Sequence, residues 1–102
     1  MKECCNSYLN EQFGGEKELI DEIYSEYVNS INEKMKEAAG ALVSGDWKLL
    51  DVVAHTIKGN ALAVGDKDMA DTAISMRTSA QLSDHERASA LLARIKELST
   101  TL

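Results

Sequence analysis

The chain has 102 residues and a mass of 11.2 kDa, room for one hydrophobic core and too little for two. Hydrophobic residues at 44% and charged residues at 27% are the balance of a globular domain, and the absence of proline disfavours turn-rich β architectures. Eleven basic against seventeen acidic residues leave a net charge of −6, which argues against a general nucleic-acid binder, and no apolar run reaches the roughly 18–20 residues of a membrane span.

The first predicted element is a short helix from about Cys4 to Gln12 that carries Tyr8 and Leu9 and is followed by Phe13. This N-terminus lacks the apolar stretch of a signal peptide, so the expected location is the cytoplasm, where Cys4 and Cys5 remain thiols. Adjacent cysteines make a poor disulfide framework. With neither CxxC nor HExxH in the chain they complete no zinc site, and no metal is expected.

After Gly14-Gly15 a long helix is predicted over about 16–43, with Ile20, Ile23, Tyr27, Ile31, Met35, Ala38 and Leu42 on one stripe. Gly45 suits its C-terminal cap and Asp46 the start of a third helix, about 46–64, which ends at Gly65. The fourth spans about 66–81, with Met69, Ala73, Met76 and Ala80 in register. The fifth, about 84–101, opens on Ser83-Asp84-His85-Glu86, read as a capping box with Ser83 as N-cap and Glu86 as its partner. Its stripe is Ala88, Leu91, Leu92, Ile95, Leu98 and Leu102. Four long helices with short connections predict an all-α, up-down antiparallel four-helix bundle, one domain over residues 1–102, with the first short helix packed across one end.

The third helix does not read as a plain bundle helix. At about 100° per residue, with Ile57 at the centre of the buried face, Leu50, Val53, Ala54, Ala61 and Val64 fall within about 60° of it. His55 lies at about 160°, opposite the core. On its side stand Lys48, Asp51, Val52, Gly59 and Leu62: two outward apolar residues and a mid-helix glycine that costs about 1 kcal/mol relative to alanine. Lys58, three residues on, can reach alongside the imidazole. Each item alone has an ordinary explanation as an exposed residue; their coincidence on one face points to function.

Unperturbed imidazoles titrate near about 6.5, so at neutral pH such a ring is largely neutral and nucleophilic. On a rigid helix it could attack a phosphoryl group presented by another protein, with Lys58 offsetting oxygen charge, Gly59 leaving a notch and Val52 and Leu62 giving apolar contact. No phosphate-binding glycine loop is present, so the phosphoryl group has to come from and go to another protein.

The run Ala54-His55-Thr56-Ile57-Lys58-Gly59-Asn60, followed by Leu62 and Gly65, resembles the signature of histidine phosphotransfer (HPt) domains. Phe13-Gly14-Gly15 and Ser44-Gly45-Asp46-Trp47 are similar to the same family, so the resemblance runs from about Phe13 to Leu102. It implies a four-helix bundle whose His55 exchanges a phosphoryl group, through the imidazole Nε2, with the aspartate of a response-regulator receiver domain, with Lys58 as the neighbouring base and Gly59 as the small residue beside the histidine. It also implies Mg²⁺ on the receiver, no cofactor on this chain, and a hybrid sensor histidine kinase upstream. Asn60 stands where serine or alanine is common.

The expected function is therefore that of a stand-alone, monomeric phosphoryl carrier in a bacterial multistep phosphorelay, without kinase activity of its own. Two alternatives remain: the phospho-accepting domain of a larger hybrid or chemotaxis-type kinase, against which the opening Met1 leans, and a bundle that docks receivers without accepting phosphate. Lys48, Asp51, Val52 and Leu62 are the expected docking residues. Lys48, Lys58 and Lys67 form a basic rim that would suit an acidic partner. His85 reads as an ordinary surface residue, and the absence of paired ExxH motifs rejects a ferritin-like metal bundle.

Overall fold

A computed structural model describes residues 1–102. It contains five helices and no strand: α1 (Glu3–Phe13), α2 (Lys17–Ser44), α3 (Trp47–Ala63), α4 (Lys67–Gln81) and α5 (His85–Ser99). The last four each begin one residue later than the periodicity predicts, because Glu16, Asp46, Asp66 and Asp84 are flanking caps and not helical residues. Helix α2 has 28 residues, about 42 Å at 1.5 Å per residue, and so runs the length of the 43 Å long axis. Helix α3 packs on α2 and α4, and α5 packs on α4 and α2, so these four enclose one core. Ile31, Leu50, Ile57, Met69, Met76 and Ile95 lie fully inside it. Ile23, Met35, Leu91 and Leu102 sit at its edge, only partly buried, and Phe13 is exposed.

The three junctions between α2 and α5 use one device. One or two residues past each helix end the chain turns into the left-handed region: Gly45 at φ 70° directly after α2, Gly65 at φ 72° after Val64, and Ser83 at φ 52° after Leu82. The aspartate that follows donates its backbone N–H back to the closing turn, Asp46 to Ala41, Asp66 to Ala61 and Asp84 to Ser79, each at 2.9 Å. Its carboxylate then caps the next helix, accepting from the N–H of Leu49 (3.0 Å), Met69 (3.4 Å) or Arg87 (3.1 Å). Each aspartate thus ends one helix and begins another.

This corrects the expected capping box at α5. Ser83 is spent on closing α4, and a residue in the left-handed region cannot also present its side chain as an N-cap, so Asp84 caps α5 alone. Glu86 is then the second helical residue, one place short of the reciprocal position.

Helix α1 lies on α2 and on the α3–α4 turn, held by the fully buried Cys5 and Leu9. A Cβ on Gly65 would stand 2.5 Å from the Tyr8 Cβ, so α1 closes over a position only glycine can occupy. Asp66, fully buried, accepts from Lys2 Nζ at 3.0 Å and from the Tyr27 hydroxyl at 2.7 Å. Burial, then the bond to Asp66, drives the Tyr27 pKa upward, so Tyr27 stays a donor. Burial, reinforced by the charge Cys4 would carry, pushes the Cys5 thiol up to about 12. A protonated, buried thiol is inert, which fits a packing role.

Candidate functional site

Helix α3 turns Leu50, Val53, Ala54, Ile57 and Ala61 into the core. His55 is thereby left exposed on the opposite face. Val52 and Leu62 are 56% and 55% exposed, with His55 and Gly59 between them along the helix. Lys48 is exposed and Lys58 half-buried, and neither enters an ion pair. A Cβ on Gly59 would meet nothing within 4 Å, so no contact inside the protein demands glycine there. Gly40 in α2 is equally open, but no histidine or outward apolar pair accompanies it.

Two expected members of the face are engaged elsewhere. Asp51 is half-buried and receives the Arg77 Nε at 2.8 Å, so it is tied to α4 instead of standing free for a partner. Lys67 reaches Asp71 one turn on at 2.7 Å, which reduces the unpaired lysines of the basic rim to Lys48 and Lys58. Asn60 donates to the Ser30 hydroxyl at 2.6 Å and fastens α3 to α2. His85 stands edge-on to Trp47, ring centroids 6.3 Å apart, with only Ser89 near its Nδ1.

Arg77 is the site residue the sequence reading missed. Its Nη1 lies 3.2 Å from His55 Nδ1 while its Nε holds Asp51, so one guanidinium bridges two residues of α3. The available signal was register: α3 and α4 fold back on one another at Asp66, and His55 and Arg77 lie eleven residues before and eleven after it. Periodicity within each helix gives the buried stripes but not which outward residues come abreast.

Arg77 occupies Nδ1 of this exposed ring, and Nε2 has no hydrogen-bond partner in the protein. No surface cavity is lined by His55. No group of three His, Cys, Asp or Glu side chains converges as a metal cage. No helix is long and apolar enough to cross a membrane.

The family model described as Hpt domain matches residues 22–102, from the first turns of α2 to the C-terminus, with α1 outside it. Neither a curated protein nor a solved structure gives a significant match. The match covers the four helices that enclose the core and the helix that presents His55, and the chain belongs to the Hpt domain family.

Proposed function

We propose that His55 accepts a phosphoryl group from the aspartate of a response-regulator receiver domain and passes it to another, making the chain a carrier in a multistep phosphorelay. Hpt domains serve histidine phosphotransfer in two-component systems. The observation that carries the finer reading is the exposed, outward imidazole whose Nδ1 meets Arg77 and whose Nε2 has no hydrogen-bond partner in the protein, set between two exposed apolar residues and beside an unpaired lysine. Lys58 offsets charge on the incoming phosphoryl oxygens, worth on the order of 1 kcal/mol in water and more when a partner excludes solvent. Gly59 leaves room for the partner's loops, and Lys48, Val52 and Leu62 form the docking rim.

Connections of two or three residues between α2, α3, α4 and α5 support an up-down antiparallel four-helix arrangement with α1 as an addition. The chain works as a monomer in the cytoplasm, with Mg²⁺ on the receiver, a hybrid sensor histidine kinase upstream, and no ATP-dependent activity of its own. The test is transfer from a phosphorylated receiver domain to the wild type and to His55→Gln. Acid-labile, base-stable label on the wild type alone is the expected result. Label of equal strength on His55→Gln refutes the acceptor assignment, and no label on either protein across several receivers favours a docking bundle.

A further inference from the structure

The Asp51–Arg77–His55 bridge bears on the state of the imidazole, given the reading of His55 as the acceptor. A guanidinium has five N–H donors, no acceptor, and keeps its charge throughout the physiological range. The 3.2 Å contact from Arg77 Nη1 therefore requires His55 Nδ1 to offer a lone pair. A neutral imidazole carries one N–H, so with Nδ1 bare the proton resides on Nε2. Asp51 fixes this arrangement by holding the Arg77 Nε at 2.8 Å.

We propose that Arg77 is a positioning residue that sets the His55 tautomer, keeping the outward Nε2 protonated and non-nucleophilic until the guanidinium leaves the ring. Attack on phosphorus needs the in-plane lone pair of Nε2. For that, Arg77 gives up Nδ1, one proton passes from Nε2 to water, and Nδ1 takes another from water. The Nε2–P bond then forms as the P–O bond to the donor aspartate breaks, its electron pair staying on the carboxylate. Loss of the Nδ1 proton to water leaves a neutral phosphorylated ring whose bare Nδ1 again accepts from Arg77. Arg77 binds the two end states and not the reactive one between them. It restrains loading, and it also restrains hydrolysis, because a ring with bare Nδ1 is a poorer leaving group than one protonated there. The Arg77 side chain is 32% exposed, so an acidic partner can draw it away at docking.

The test is ¹⁵N NMR of the His55 ring in the unphosphorylated protein, joined to the lifetime of the phosphorylated form after loading with phosphoramidate. Wild type is expected to show a single tautomer with the proton on Nε2. Arg77→Met is expected to show averaging between tautomers. Arg77→Gln, whose amide can donate to Asp51 and turn its oxygen to the ring, is expected to move the proton towards Nδ1. Loss of label should be about fivefold faster in Arg77→Met, the factor for one hydrogen bond of about 1 kcal/mol, with helical circular dichroism unchanged. A wild-type proton on Nδ1, or the same tautomer populations and label lifetime in all three proteins, overturns the assignment. Tautomers as expected with no label on any protein support the role of Arg77 and fail the transfer reading instead.

Discussion

Replacing Lys2 by methionine keeps the aliphatic stem and deletes the ammonium that lies 3.0 Å from Asp66. Asp66 has no exposure to solvent, so its charge cannot be rehydrated once the partner is gone. Removing one member of a buried pair costs about 3–5 kcal/mol. Here the loss is smaller, because the Lys2 side chain is 15% exposed and Asp66 keeps the Tyr27 hydroxyl and the Met69 N–H. About 2 kcal/mol is expected, a fall in Tm of about 10 °C for a domain of this size. Burial alone would lower the Lys2 pKa, but the hydrogen bond and charge of Asp66 outweigh it and leave it raised. A raised lysine pKa means the contribution is whole below the ordinary 10.5 and is lost only as pH climbs through the folded value, so the penalty at neutral pH is undiluted. The assay is urea denaturation of wild type, Lys2→Met, Asp66→Asn and the double variant. Because an asparagine can still accept from Tyr27 and Met69, the double variant should recover at least half the loss. An unchanged midpoint for Lys2→Met, or a double variant no more stable than Lys2→Met, would refute the reasoning. His55 lies about 12 Å, more than two turns, before the end of α3 that Asp66 follows, so transfer per folded molecule should not change.

Stability should fall as pH rises beyond 9.0, the ordinary value for a thiol here, since Cys5, Tyr24, Tyr27 and Lys2 all have raised pKa values in the folded state. The unfolded chain then releases protons first, which favours unfolding; Cys5→Ala should delay the onset towards the tyrosine value of 10.0, and a profile superimposed on wild type would count against burial as the cause. Ser83→Gly should raise stability by about 1 kcal/mol by relieving a left-handed non-glycine residue, measured by the same urea titration; no gain would mean the serine is unstrained. Gly59→Leu and Val52→Glu should each block phosphoryl transfer, with Val52→Glu within about 0.5 kcal/mol of wild type and Gly59→Leu no less stable, because both positions face open space. A large fall in Tm for either would place these residues in the fold's interior, and an unchanged transfer rate would remove them from the docking surface.

Much of the fold was legible because α-helices write themselves locally. The four- and seven-residue spacing of Ile20, Tyr27, Ile31, Ala38 and Leu42 comes from one helix turning on its own axis, and those residues are buried. Glycine before aspartate at Gly45 and Gly65 marks a chain reversal by backbone sterics alone. Ser83 was misread for the same reason: a serine followed three residues later by glutamate satisfies a local rule, while the closing of α4 had already claimed it. Likewise the outward placement of His55, Val52, Gly59 and Leu62 followed from the phase of one helix.

What needed the tertiary structure was every relation between helices. Asp51 looked like a docking residue because its helix turns it outward; the neighbouring α4 turns that position into an anchor for Arg77. Lys2 and Asp66 are 64 residues apart, and nothing in the periodicity of either segment joins them. Which residues are helical, which face each helix buries, and that a histidine stands away from the core can be read from the chain alone, since these depend on interactions within a few residues. The tertiary structure decided which guanidinium meets that histidine and which lysine neutralises the buried aspartate, because side chains on different helices meet only when packing sets the register between them.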